Sequence, residues 1–103
     1  MDHTVLLVDD PSSCADLEGG FRVERTPWYE AIGRAHEVAP SALVFVRPHR
    51  DAMLVASTLG WVHNVPVLLV DADEADLSAV PGARRVVSSR DRLSAIIRAA
   101  LPA

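Results

Sequence analysis

Apolar residues in this chain come in short unbroken runs, and the stretches between the runs carry a helical period. Residues 5–8, 42–46 and 66–70 are continuously apolar or nearly so. A strand that reads this way is buried on both faces, as in a parallel sheet. Weaker β-branched runs at 21–24 and 85–87 complete five predicted strands. Thr26-Pro27 predicts a helix start, with Thr26 as N-cap and Pro27 in the first helical position. Trp28, Ala31, Ile32, Ala35 and Val38 then fall on one face. From Asp51, residues Ala52, Val55, Ala56, Leu59 and Val62 repeat that spacing, and Met53, Leu54 and Trp61 widen the apolar face. Ser88 and Asp91 form a capping-box pattern ahead of Leu93, Ile96, Ile97, Ala100 and Leu101, the cleanest amphipathic stripe of the chain. Strands alternating with helices predict βαβ units with right-handed crossovers.

One crossover is unusually short. Only residues 9–20 join the first two strands, close to the minimum for a parallel connection. The first helix is therefore expected to be shortened or absent. The face it would have covered is left either to a partner or to the loop itself, folded over with Phe21 or Trp28.

Composition narrows the class. The 103 residues make one domain, 1–103, with 100–103 as the possible start of a linker. Half the residues are hydrophobic, the net charge is −4, and every one of the ten cations is arginine. No apolar stretch is long enough to span a bilayer. The single cysteine, Cys14, excludes an internal disulfide and fits a reducing, cytoplasmic setting. The acidic balance and the lack of a DNA-reading helix pair argue against nucleic-acid binding. His3, His36, His49 and His63 show no metal-ligand spacing. No glycine-rich phosphate loop with a lysine exists, because no lysine exists.

The residues with the clearest chemical character are Asp9 and Asp10, which end the first apolar run abruptly. Parallel α/β sheets gather their chemistry at the carboxyl ends of the strands, where these acids lie. This start, together with Pro66-Val-Leu-Leu-Val-Asp-Ala-Asp-Glu and with Gly82-Ala83 leading to Val86-Val87 and a terminal amphipathic helix, resembles the receiver domain of bacterial response regulators over nearly the whole chain. The resemblance implies an α/β, three-layer, doubly wound, flavodoxin-like fold with a five-stranded parallel sheet in the order 2-1-3-4-5. It also implies the chemistry of two-component signalling. An aspartate at the end of strand three accepts a phosphoryl group, the acidic pair holds Mg²⁺, and a hydroxyl and a lysine sense the product.

Here the pattern fails at three of four roles. The acceptor position falls on Val46, or on Arg47 if the register shifts by one; the hydroxyl position falls on Asp71 and the lysine position on Ser89. Only the acidic pair is retained, so residual Mg²⁺ affinity is confined to Asp9 and Asp10. The expectation is a degenerate receiver that is not an enzyme and needs no cofactor. Arg47 lies within reach of Asp9 or Asp10 across neighbouring strand ends, and its guanidinium fork would take the metal's place, with Asp71 as a third acid. The alternative leaves Arg47 in solvent while the acids cap a loop.

The expected function is a phosphorylation-independent regulatory module that docks a protein partner or forms a homodimer. Interface candidates are Trp61, Arg84, Arg85, Arg92 and Ile97, with Asp73 and Glu74 as acidic counterparts on a second copy. The nearest alternative is an amino-terminal localisation or sensor domain of a pilus-assembly or septum-site ATPase, or of a transcription regulator. A further alternative is a phosphocysteine carrier using Cys14, but Asp16 and Glu18 just downstream would repel phosphate.

Overall fold

The computed structural model describes residues 3–9, 21–72, 80, 83–86 and 90–101, the side chains of 84–86 and 90–94 excepted. Four strands, β1 (His3–Val8), β2 (Phe21–Thr26), β3 (Ala42–Val46) and β4 (Val67–Val70), lie side by side in the order β2-β1-β3-β4, all parallel. A three-residue strand, β5 (Arg84–Val86), pairs parallel with the outer side of β4, giving β2-β1-β3-β4-β5. The expected 2-1-3-4 order is present, and the fifth member is reduced to a short ladder at the edge. Every residue of β3 is buried, as its unbroken apolar run requires. In β2, by contrast, exposed Arg22 and Arg25 flank half-buried Val23 and Glu24, the mixed character of an edge strand.

Helices α1 (Ala31–Val38) and α2 (Arg50–His63) pack on one face of the sheet. Ala31, Ala35, Ala52, Ala56 and Leu59 meet Leu6, Val8, Leu43, Phe45, Val67 and Leu69 there. The small residues let the helix axes approach the sheet closely. Gly60 takes this furthest, since a Cβ at that position would stand 2.7 Å from Val67 Cγ2. The opposite face carries Val5, Leu7, Ala42, Val44, Val46, Leu68 and Val70, which pack with Ile97 of α3 (Arg90–Ala100) and with half-buried Ile96 and Leu101. Two cores separated by the sheet give the three layers. The crossover 10–20, and with it the expectation of a shortened first helix, lies outside the described residues, as do the capping residue Ser88 and Cys14.

Several sequence expectations are corrected. Ile97 is fully buried and belongs to the core, not to an interface, because the α3 stripe turns onto the sheet. Leu54 and Trp61, read as widening the apolar face of α2, are 65% and 85% exposed, and for Trp61 that agrees with its place among the interface candidates. The helix spends its inward face on Ala52, Ala56 and Leu59, and the 100° step per residue turns the other two outward. Ile32 and Val62 are also exposed. Thr26 does not cap a helix. It is the last residue of β2, its hydroxyl donates to Pro27 O at 3.1 Å, and Pro27 is extended with ψ 157°. The chain enters α1 only after a 3-10 turn at Trp28–Glu30.

Candidate functional site at the carboxyl edge of the sheet

Three neighbouring strands leave the sheet in the same manner. The first residue past β1, β3 and β4 has positive φ in each case: Asp9 at 57°, Arg47 at 46° and Asp71 at 57°. Aspartate tolerates the left-handed region through local hydrogen bonding, whereas arginine has no such compensation. The backbone holds these turns by carrying the ladder one step further. Asp9 N–H donates to Thr26 O at 3.1 Å, and Arg47 N–H donates to Val70 O at 2.8 Å. Each side chain is thereby turned away from the alternation of its strand at the edge where parallel α/β folds bind ligands.

Asp9 is committed locally. Its Oδ1 accepts from Trp28 N–H at 2.9 Å, at the opening of the 3-10 turn that leads into α1. The carboxylate thus does from the neighbouring strand what Thr26 was expected to do from within the chain. It satisfies an unpaired amide and places negative charge at a helical N-terminus. Replacing Asp9 by Ala is expected to cost about 1–2 kcal/mol, as loss of a cap does, with part of the loss arising because alanine dislikes the left-handed turn. Asp9→Asn, which keeps both the acceptor and the tolerance for positive φ, should stay within about 0.5 kcal/mol of wild type. Urea denaturation of the two variants distinguishes this role from that of a metal ligand, which Asn would not rescue.

Arg47 does not reach Asp9. Its Nε lies 3.7 Å from Asp71 Oδ2, and the strand register explains the choice. Val8 stands opposite Phe45 and Val46 opposite Val70, so the residue after β3 is level with the residue after β4 and one step beyond Asp9. The Arg47 side chain is 71% exposed and that of Asp71 28%. At this length and exposure the pair contributes less than about 1 kcal/mol. It sets charge in place more than it stabilises. The alternative to the expected metal-free pocket, with Asp9 capping the chain, is closer to what is found, although Arg47 is paired with the third acid.

Val46 closes the edge from below. It is 6% exposed and packs into the α3-side core, so one of the two positions that the receiver resemblance offered for an acceptor, Val46 rather than Arg47, is an apolar, buried side chain. Beside it, His49 caps α2: Nδ1 accepts from Ala52 N–H at 3.2 Å, which requires the ring proton on Nε2. The same ring meets Trp28 edge-on with centroids 4.9 Å apart, and Tyr29 meets Trp28 in the same way at 5.9 Å. This aromatic contact ties the starts of the two helices together at the edge. His49 is exposed at the start of α2, and the lack of metal-ligand spacing among the histidines said nothing of this capping role. The three-residue spacing from His49 to Ala52, directly after a proline, was the available signal.

Among the described residues no group of three or more His, Cys, Asp or Glu is placed to hold a metal ion. Asp10, Asp73, Glu74, Ser89 and Cys14 lie outside the described residues, and so do the side chains of Arg84, Arg85 and Arg92. The geometry brings together Asp9, Trp28 and His49 on one side, and Arg47 and Asp71 on the other. Nucleophilic phosphoryl chemistry needs a carboxylate beside a metal and a cation to steady the product. The end of β3 offers valine and arginine instead.

No family model matches the chain, and no curated protein matches it in sequence. Among solved structures it is similar to a cobalamin-binding protein from Desulfitobacterium hafniense DCB-2. The similarity has a TM-score of 0.63 at 15% identity and covers 98% of this chain and 60% of that one. The chain therefore spans about three-fifths of that protein's length. Fold and edge geometry together define a parallel α/β domain compatible with the flavodoxin-like class. No helix among the described residues is long and apolar enough to cross a membrane.

Proposed function

We propose that the chain is a receiver-like regulatory module that takes no phosphoryl group and acts through protein contacts. The observation that carries this reading is the exit of β3: Val46 is buried where an acceptor carboxylate would stand, and Arg47 pairs with Asp71 in front of it. A guanidinium next to a carboxylate satisfies locally the charge that a divalent cation would otherwise neutralise. The commitment of Asp9 to Trp28 N–H supports the reading further, because a carboxylate used as a cap is a poor candidate for metal exchange. Protein contacts are the use of the scaffold that this reading leaves. The localisation or sensor role ahead of a larger protein is the same reading in a different setting.

The test combines exposure to acetyl phosphate and Mg²⁺ with mass measurement of the intact protein, and Mg²⁺ titration followed by amide shifts. The expected result is an unchanged mass and no saturable binding in the micromolar range. A phosphorylated species, at Asp71 or either early acid, would overturn the proposal. Since the similar structure is that of a cobalamin-binding protein, a third arm mixes the protein with hydroxocobalamin and desalts it. Colour retained on the protein would replace a contact module with a ligand-binding one.

A further inference from the structure

Strand β2 ends the sheet on one side, and among the described residues it pairs with β1 alone. One bond fixes the direction of its backbone groups. Thr26 O accepts from Asp9 N–H, so Thr26 turns its amide and carbonyl toward β1. These groups alternate sides along a strand, so Arg22 and Glu24 also turn toward β1, while Phe21, Val23 and Arg25 turn outward. Side chains alternate between the two faces as well. Phe21 and Val23 are half-buried against the α3-side core, whereas Glu24 meets Arg34 of α1 at 2.8 Å on the other face. Arg22 shares the face of Glu24 and is exposed.

A sheet edge is a template for one more strand, and here the charge pattern selects a second copy. Two β2 strands meeting antiparallel about a two-fold axis keep a ladder only where outward-turned residues oppose each other. An axis through Val23 achieves this. It sets Val23 against Val23 of the second copy, and each Arg22 against the other copy's Glu24. Moving the axis to Glu24 opposes two carboxylates, and moving it to Arg22 opposes two guanidinium groups, both of which are unfavourable. One register therefore pairs opposite charges on the α1 side and continues the apolar strip of Phe21 and Val23 on the α3 side. Arg22 and Glu24 meet there in a non-hydrogen-bonded pair, where side chains stand closest. Helix α1 leaves this approach open, since Ala31 and Ala35 cluster with Leu6, Val8, Leu43 and Phe45 over β1 and β3.

We propose that β2 pairs antiparallel with β2 of a second copy about Val23, joining two sheets into one. This rests on the contact-module reading and deepens it by naming one partner as a second copy of the chain. The paired stretch, residues 21–25, is shorter than a standard interface requires, so the association belongs to the weak, transient class. Main-chain bonds and the two cross-strand ion pairs carry it. Such a contact answers to local concentration: copies held close together pair, and dilute copies separate.

Amide shifts of the full chain, followed from micromolar to millimolar concentration beside sedimentation equilibrium, test the proposal. In wild type the β2 amides should move with concentration while the mass rises toward twice the monomer and no further. Val23→Pro removes an outward N–H that the ladder with β1 does not use, so the variant should keep a cooperative urea transition. Its self-association should weaken more than about 10-fold. Arg22→Glu sets a carboxylate against Glu24 of the second copy and should weaken association roughly 10-fold, with the urea midpoint near wild type. Should Val23→Pro fail to fold, Arg22→Glu decides alone. Three results would each overturn the proposal: β2 amides that stay fixed up to millimolar concentration, either variant associating as well as wild type, or a mass that climbs past two copies. In the first case Arg22 guards the edge against pairing instead. The phosphoryl-transfer assay reads the parent reading separately: a monomer that takes no phosphate removes only the pairing, and a dimer that does take phosphate removes only the parent reading.

Discussion

Ile97→Glu is expected to abolish the native fold. Ile97 is fully buried between α3 and the sheet, in contact with the cluster built from Val5, Leu7, Val44, Val46 and Leu68. Truncating a buried isoleucine costs about 2–5 kcal/mol, and placing an unpaired carboxylate in the same space adds several more. The total rivals the roughly 5–15 kcal/mol that holds a domain of this size together. Circular dichroism and urea denaturation should find little or no cooperative transition, whereas Ile97→Val should lose only about 0.5–1.5 kcal/mol. An Ile97→Glu protein with an unchanged urea midpoint would mean that the α3 stripe faces solvent. That outcome would return Ile97 to the interface candidates.

Val46→Asp is the second large effect, and it bears on function directly. The substitution puts a carboxylate where the receiver pattern has its acceptor, yet the site it enters is 6% exposed and apolar. The variant is expected to lose roughly 3 kcal/mol or more of stability at neutral pH, the scale for an uncompensated buried charge. Burial favours the neutral acid and so raises the folded-state pKa of the new group above its unfolded value. The penalty should therefore shrink as pH falls through that raised value. Acetyl phosphate should still leave the mass unchanged, because the chain has no lysine to steady an acyl phosphate. If Val46→Asp were as stable as wild type and became phosphorylated, the edge would be an open pocket lacking only its nucleophile, and the interpretation of Val46 and Arg47 as a closed exit would fail.

These two positions also mark how far the sequence could be read. The unbroken run 42–46 was legible as a doubly buried strand, and the structure places β3 at those residues. The run 66–70 was right to within its first residue, since β4 is Val67–Val70. Strand β2 runs on to Thr26, beyond the expected end at 24, because parallel pairing with β1 continues through Val8 opposite Thr26. Helix periods were legible too, but not which flank of each stripe would be covered. Ile32, Leu54 and Val62 fit an apolar face by spacing and stand exposed, since two helices share one face of a narrow sheet and alanines suffice to seat them.

At the carboxyl edge the sequence was informative about which groups are absent and poor on which groups meet. The lack of lysine and of an acid at 46 needed no coordinates. The partner of Arg47 did, because the choice between Asp9 and Asp71 depends on a register offset of one residue between β1, β3 and β4. The positive φ of Arg47 had no local signature, as arginine is not a residue that favours it.

The residue pattern alone determined the alternation of buried strands and amphipathic helices, and it excluded lysine-dependent phosphate chemistry. Both are properties of composition and of short-range period, which a chain carries before it folds. The tertiary structure decided that Asp9 caps the approach to α1, that Arg47 turns to Asp71, that Ile97 is core and that Trp61 is surface. Those outcomes depend on which strands become neighbours and in what register, and pairing between segments distant in the chain is settled only when the sheet closes on its two helical layers.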